Sequence, residues 1–240
     1  MLKIFIGYDP RQAVTYNVCQ HSLLIRAKQP VAIIPLIIET LPIKRQGLTP
    51  FTWSRFLVPY LSKFEGLSIF IDADIILLDD INELINTVAQ LKIDNQIPAV
   101  SVVKSKHRFE WASVMVFNCA HPDNLKLSPE FVENTNENLH GISWTESIGA
   151  IDANWNYLVG YDGPISHDLN EINKVKLVHY TQGVPAWAET EDCEFSEEWK
   201  KELMYINSSV EWADLMGKSI HAATLEDGTK IPKYKLNINK

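Results

Sequence analysis

The sequence predicts an α/β fold: a mainly parallel sheet flanked by helices, with a mixed C-terminal part. Two patterns carry the prediction. Short apolar runs that end in turn residues alternate with helix-start signals through the first third of the chain. The three apolar runs there, Leu2–Ile6, Val31–Ile38 and Leu67–Ile71, are rich in β-branched residues and each is too short for a helix. A β-α-β-α-β order favours parallel pairing, with the connecting helices packed on the sheet faces.

Each element has a local reason. Leu2–Ile6 stops at Gly7, and Asp9-Pro10 is an N-cap followed by proline at the first helical position. Val14, Val18, His21 and Ile25 then recur at helical spacing to about Lys28. Thr49-Pro50 repeats the cap-then-proline signal and predicts a helix to about Ser62. Asp79-Asp80, ahead of Ile81-Asn82-Glu83-Leu84, predicts another N-cap. Beyond it, Ile97–Val103 and Ser113–Phe117 read as strands on either side of the basic link Lys104–Arg108. A short helix is expected over Pro129–Asn138, and Ser143-Trp144-Thr145-Glu146 has the spacing of a capping box. Tyr157–Gly160 and Val175–Tyr180 are expected strands. Ser196 opens a helix whose apolar face is Trp199, Leu203, Ile206, Val210 and Ala213, with Gly217 as its stop. Residues 1–217 therefore form one expected domain, and 218–240 a polar, lysine-rich tail.

Composition narrows the function. Thirty acidic against 22 basic residues give a net charge of −8, which disfavours a nucleic-acid partner. Three cysteines without a CxxC pair argue for a reducing compartment, so a cytoplasmic location is expected. The N-terminal apolar run is too short for a signal peptide, and no stretch approaches the roughly 18 apolar residues of a spanning helix. Lys230, Lys233, Lys235 and Lys240, interleaved with Ile231, Tyr234 and Leu236, leave room for a weak peripheral contact with anionic lipid; a solvated terminus is the better explanation.

The chemistry starts at Phe70-Ile71-Asp72-Ala73-Asp74. In extended backbone, residues i and i+2 face the same side, so both carboxylates can reach one divalent cation at the carboxyl end of a strand. Strand-end aspartates also serve as caps and turns. Far downstream, His179 ends the run Leu177-Val178 and is followed by Thr181-Gln182-Gly183. An imidazole beside carboxylates suits Mn²⁺ better than Mg²⁺ or Ca²⁺, and a glycine can let backbone N–H groups approach a phosphate. Taken singly, His179 is read first as a core histidine at a strand end.

Together these pieces resemble the GT-A (Rossmann-like) glycosyltransferases, above all family 8, the glycogenin and galactosyltransferase type. Ile4–Asp9 resembles the family's first strand and nucleotide turn, and Trp53-Ser54-Arg55-Phe56 its arginine helix. Asp72 and Asp74 match its D-x-D. Asn154-Trp155-Asn156-Tyr157 and then His179, Gly183 and Trp187 resemble its late segment. The resemblance implies a metal-dependent transferase that moves a sugar from a UDP-sugar to an acceptor hydroxyl with retention. The acceptor is a glycan, a lipid-linked sugar or a protein. In that scheme Gly7, Tyr8, Asp9, Arg55, Asp72 and Gly183 bind the nucleotide sugar. Asp72, Asp74 and His179 hold Mn²⁺, or Mg²⁺ as second choice, and Glu146 is the catalytic group that orients the sugar or stabilises positive charge on it. Two departures stand out. Pro185 occupies the place of the family's diphosphate-binding lysine, for which Lys104, Lys106, His107 and Arg108 are the nearest replacement. Glu110-Trp111 stands where the family often has a sugar-contacting asparagine. A sugar-nucleotide pyrophosphorylase and a non-catalytic nucleotide-sugar-binding relative are the alternatives. The single glycine of Gly7-Tyr8-Asp9-Pro10-Arg11 counts against the pyrophosphorylase, and the missing lysine keeps the non-catalytic relative in view.

Overall fold

A computed structural model describes residues 1–163 and 174–207 of the 240-residue chain. Strands β1 (Leu2–Gly7), β2 (Val31–Leu36), β3 (Leu67–Ile71), β5 (Val100–Val102), β6 (Val114–Asn118) and β7 (Ile148–Ala150) form a six-stranded sheet in the order β2-β1-β3-β6-β5-β7. Three of its five neighbouring pairs are parallel; both antiparallel pairs involve β6. Pro35, which cannot donate to a ladder, sits in edge strand β2, where a strand proline is tolerated. A second sheet of β4 (Ile75–Leu77), β9 (Leu177–His179) and β8 (Tyr157–Leu158) runs in the order β4-β9-β8.

The period-2 side-chain alternation of the strands divides the core. Ile4, Ile6, Ile69, Ile71, Val114 and Val116 pack on one face with helices α1 (Ala13–Leu24) and α3 (Ile81–Gln90). Phe5, Phe70, Met115 and Phe117 pack on the other, with α2 (Val58–Leu61) and α4 (Pro129–Asn134). The small sheet builds a third cluster, in which Ile76, Val178 and Tyr180 meet Val18 of α1 and Trp199 of α5 (Ser196–Asn207). Glu202 locks α5 onto α1. Buried, it accepts from His21 Nδ1 at 2.6 Å and from Arg26 Nη1 at 2.8 Å. Leu203 and Ile206 pack against the cluster as their spacing predicts. Val210, Ala213, Gly217, the 217/218 boundary and the tail lysines lie outside the described residues. Among the described residues no helix is long and apolar enough to cross a membrane.

Two N-caps form as expected: Asp9 accepts from Arg11 N at 2.9 Å, and Asp80 accepts from Asn82 N at 3.1 Å. Three helix expectations need correction. Thr49 does not cap a helix; its N–H instead donates to Thr52 Oγ1 at 2.9 Å. The segment turns before a 3-10 stretch, Ser54–Leu57, and the single turn of α2. The turn stops at Ser62 because Lys63 and Phe64 follow in left-handed backbone, at φ 58° and 55°, where Phe64 N donates to Pro59 O and closes the segment. Helix α4 stops at Asn134, four residues before its predicted end. No helix opens at Ser143: Ile142 is in left-handed backbone at φ 55°, and Ser143 Oγ reaches Glu137 rather than closing a capping box.

Candidate active site

The parallel strands β1 and β3 end side by side, with Ile6 paired to Ile71, so Gly7 and Asp72 emerge as neighbours. The chain leaves β3 through Asp72-Ala73-Asp74 and at once starts β4, whose antiparallel register places Ile75 opposite His179. Tyr180 N donates to Asp74 O at 2.9 Å and extends that ladder. This pairing brings together residues that are over a hundred positions apart. His179 Nε2 lies 3.3 Å from Asp74 Oδ1, and one ligand atom each from Asp72, Asp74 and His179 lie within 4.8 Å of one another. Ligand atoms on opposite sides of a first-row ion stand roughly 4.0–4.4 Å apart, given bonds of about 2.0–2.2 Å. The triad fits such an ion with a small contraction.

The donor set fits as well. Asp72 Oδ1 is buried and lacks a well-directed hydrogen bond, although Arg55 Nη2 stands 3.1 Å away. A buried oxygen with unspent lone pairs is what a cation would use. His179 has its tautomer set by a buried relay. Asn156 Oδ1 accepts from His179 Nδ1 at 3.1 Å, and Asn156 Nδ2 donates to Ser113 Oγ at 3.0 Å. Ser113 Oγ donates in turn to Glu110 O at 2.6 Å. With one proton fixed on Nδ1, Nε2 is the nitrogen turned to Asp74, and it is the one that would bind a cation in exchange for its own proton, the arrangement common for metal-bound histidine.

Charge shapes the cleft. Burial drives the Asp72 carboxyl up to about 6; Arg55 opposes this, and Asp74 adds to it. Burial alone would lower His179, but the carboxylates of Asp74, Asp72 and Glu110 outweigh it and hold the imidazole above its ordinary value. The triad, Arg55, Glu110, His140 and Thr181 line a cavity of about 320 Å³ whose outer rim carries the exposed Leu48 and Phe109. His140, edge-on to Trp53 and Phe56, is pushed down to about 4 by burial and by the nearby Arg55 and Arg45, so it is neutral at physiological pH.

The remaining expected site residues fall into three groups. Gly7 abuts the cleft wall: a Cβ there would come within 2.5 Å of the Phe51 ring, which lines the cavity. Tyr8 packs edge-on against Tyr16, and the Asp9 carboxylate is occupied by Arg11, which draws its pKa down. Both stand at the edge of the site.

Arg55 is in the cleft, but its guanidinium is already engaged by Asp72 and by Ala112 O at 2.8 Å, and it lies over the Phe70 ring. It is therefore placed to orient Asp72, and its Nε is buried without a partner at the same cavity.

The third group lies away from the triad. Gly183, at φ 124°, spends its N–H on Tyr180 O and lines a different cavity with Gln182 and Cys193. Lys106 is paired with Asp162 and Arg108 donates to Gly141 O, while Lys104 and His107 are exposed; none of the four lines the triad's cavity. Glu146 is at the wrong end of the sheet. It is exposed just before β7, which runs parallel to β5, and register through β6 sets Ile148 level with Ser68 near the start of β3. Four rungs of strand, about 13 Å at 3.3 Å per residue, separate that level from Asp72, and Glu146 lies before it. Sequence reasoning left Glu110 and His140 without a role. Both sit on 3-10 turns, where no periodicity marks a functional face.

No family model matches the sequence. Protein CDI of Arabidopsis thaliana is 35% identical over 234 residues, a match that spans 85% of this chain and 87% of that protein. Three solved structures are similar in fold. The apo bifunctional glycosyltransferase WbbM has a TM-score of 0.63 at 14% identity, covering 88% of this chain. GlyE of Streptococcus pneumoniae TIGR4 gives 0.60 at 16% over 91%. The galactosyltransferase LgtC, in complex with donor and acceptor sugar analogues, gives 0.54 at 13% over 88%. The chain spans 50% of WbbM and 65% of GlyE, but 99% of LgtC. At these identities the likeness is one of fold, and it places the layered sheet among GT-A glycosyltransferase structures.

Proposed function

The chain belongs to the family of the Arabidopsis Protein CDI, and from that premise and the cleft's geometry we propose that it is a metal-dependent glycosyltransferase using a nucleoside-diphosphate sugar. The observation that carries the reading is the convergence of Asp72, Asp74 and His179 at the carboxyl end of β3, within 4.8 Å of one another. Ligands of open α/β sheets gather at strand carboxyl ends. A UDP-sugar donor, Mn²⁺ and retention of configuration follow from the resemblance to family 8.

Asp72, Asp74 and His179 Nε2 would hold the cation. When bound, it would neutralise negative charge that builds on the diphosphate as the sugar leaves. Electrostatics support metal dependence independently. Asp72, Asp74 and Glu110 face the cavity, and Arg55, paired with Asp72, is the one arginine or lysine among its described lining residues. Such a cleft repels a diphosphate until a cation reverses the local charge. The turn at Gly7–Asp9 and the ring of Phe51 would shape the nucleotide side, and the relay through Asn156 and Ser113 keeps His179 aimed. The acceptor's sugar, lipid or protein nature is decided outside these groups.

The direct test is release of UDP from a panel of UDP-sugars with Mn²⁺, with Mg²⁺ and with chelator. Manganese-dependent release supports the transferase. Exchange that depends on pyrophosphate would replace it with a pyrophosphorylase. Binding without release would replace it with a non-catalytic binder.

A further inference from the structure

Two large apolar side chains stand in solvent at the mouth of the triad's cavity. Leu48 is 88% exposed and Phe109 is 75% exposed, and both line that cavity. Apart from the terminal Met1, no other large hydrophobic side chain among the described residues is more than 60% exposed. A single exposed apolar residue is ordinary, but a pair on the rim of one cleft marks a contact surface. The backbone on either side of each is pinned. Before Leu48, Lys44 N and Arg45 N donate to Glu133 Oε2, and Trp53 Nε1 donates to Gln46 O at 2.9 Å. Gly47 presses on Thr52, whose Cβ would be 2.3 Å from an added Cβ, and after Leu48 the Thr49 N–H donates to Thr52 Oγ1. Phe109 sits on the 3-10 turn Arg108–Ala112. Arg108 Nη2 donates to Gly141 O at 2.7 Å on one side of it, and Trp111 Nε1 donates to Lys106 O at 3.2 Å on the other. Polar bonds thus hold both apolar side chains outward and keep them from folding back onto the core.

Resting on the transferase reading, we propose that Leu48 and Phe109 select the acceptor by binding an alkyl chain. The acceptor is then a lipid-linked sugar: its hydroxyl enters the cleft while its apolar chain lies across the two lips. Three observations favour this occupant. The lips are continuous with the cavity, so whatever covers them is joined to the group that enters it. No asparagine or glutamine is among the described residues lining the cavity, and its carboxylates are those of the triad and of Glu110 beside His179. A glycan chain leaving the cleft therefore meets few amide or carboxylate partners at the rim, whereas a hydrocarbon chain meets two apolar surfaces. Finally, two side chains fall far short of the roughly 20–30 residues that each partner brings to a stable protein interface, yet they suffice for one chain. In the transfer the acceptor hydroxyl oxygen bonds to the anomeric carbon as the bond from that carbon to the diphosphate oxygen breaks. The electron pair of the broken bond and the hydroxyl proton leave with the diphosphate. The lips take no part in that exchange; they determine which hydroxyl is presented to it.

The test offers methyl and octyl β-glycosides of glucose, galactose and mannose, below their micelle concentrations, to wild type and to a Leu48→Ser, Phe109→Ser double variant. UDP-glucose and UDP-galactose serve as donors with Mn²⁺, and the quantity read is the octyl-to-methyl ratio of acceptor kcat/KM. Each methylene taken out of water improves affinity about fourfold. Two or three resting on the lips should give wild type a ratio of about 10 to 100, and the ratio should fall toward one in the double variant. Both lips are exposed, so the double variant should melt with wild type and bind UDP with Mn²⁺ to within about twofold. A wild-type ratio near one, or release of UDP that no octyl glycoside accelerates, would overturn the acceptor class and leave the transferase reading standing. A high ratio that survives in the double variant would overturn the role of the lips. A ratio near one, together with binding to phosphatidylglycerol vesicles that the double variant loses, would assign the lips to a membrane surface instead. A wild type that neither binds UDP with Mn²⁺ nor releases UDP from either donor would overturn the transferase reading, and this proposal with it.

Discussion

Replacing Asn156 with leucine cuts the relay behind His179 while keeping side-chain volume nearly constant. Asn156 is fully buried, and both of its partners, His179 and Ser113, are 3% exposed. The substitution removes the 3.1 Å bond from His179 Nδ1 and the 3.0 Å bond to Ser113 Oγ. A buried donor left without its partner costs about 1–3 kcal/mol. Apolar burial of leucine offsets part of this, so folding stability should drop by about 2 kcal/mol. Glu110, at 3.9 Å, is too far to take over. With Nδ1 unheld, the ring can turn or change tautomer. Loss of such an outer partner typically lowers metal affinity 10- to 100-fold, or about 1.4–2.7 kcal/mol. Calorimetric titration of Mn²⁺ into wild type, Asn156→Leu and Asn156→Asp measures this. Asn156→Asp keeps an acceptor for Nδ1 and should hold metal affinity near wild type, while losing the donor to Ser113 Oγ and burying a charge lowers its stability. Equal affinity in wild type and Asn156→Leu, or equal losses in both variants, would refute the relay's role.

Four further outcomes follow from the same geometry. The metal-free fold should melt at a lower temperature at pH 7.5 than at pH 5. The raised carboxyl of Asp72 favours the folded state while protonated, and this advantage, on the order of 2–3 kcal/mol, is lost as pH rises from 3.8 through about 6. The raised imidazole of His179 acts in the same direction, contributing stability below 6.5 that disappears above its folded value; Asp72→Asn should flatten the profile in differential scanning calorimetry. Gly7→Ala should cost about 1–3 kcal/mol of stability, because the added methyl overlaps the Phe51 ring; an unchanged melting temperature would show that the ring yields freely. Asp9→Ala removes a cap and should cost about 1 kcal/mol in urea unfolding, while Asp9→Asn retains most of it. Glu146→Gln should leave turnover of UDP-sugars unchanged, and a tenfold loss would mean that Glu146 reaches the substrate despite its place at the far end of the sheet.

The parts of the fold that were legible in the sequence were those written in local signals. The third strand, Leu67–Ile71, has the bounds its composition implies, because a β-branched run between a glycine and an aspartate leaves little choice. Asp9 and Asp80 were readable as caps, since their side chains bond within two residues. The site was half legible. Asp72 and Asp74 are on one strand end, but their meeting with His179 depends on β4 and β9, three residues each, whose pairing no local pattern announces. The Ser143–Glu146 spacing misled for the complementary reason: the motif is local, but Thr145 is drawn to Asp123 and the backbone enters β7 instead of a helix. Glu110 was visible only as a departure from a family pattern. Its place on the cavity wall beside His179 follows from the packing of a 3-10 turn that carries no periodic signal.

Asp72 and Asp74 at the end of β3 and His179 at the end of β9 are proposed to share one cation that receives a nucleoside diphosphate. Diffraction from crystals soaked with Mn²⁺ and UDP, recorded at the manganese absorption edge, tests this most directly. The expected result is one anomalous peak within bonding distance of Asp72, Asp74 and His179 Nε2, with the diphosphate of UDP against it. A peak at another site, or UDP seated elsewhere while the triad carries no peak, would contradict the claim.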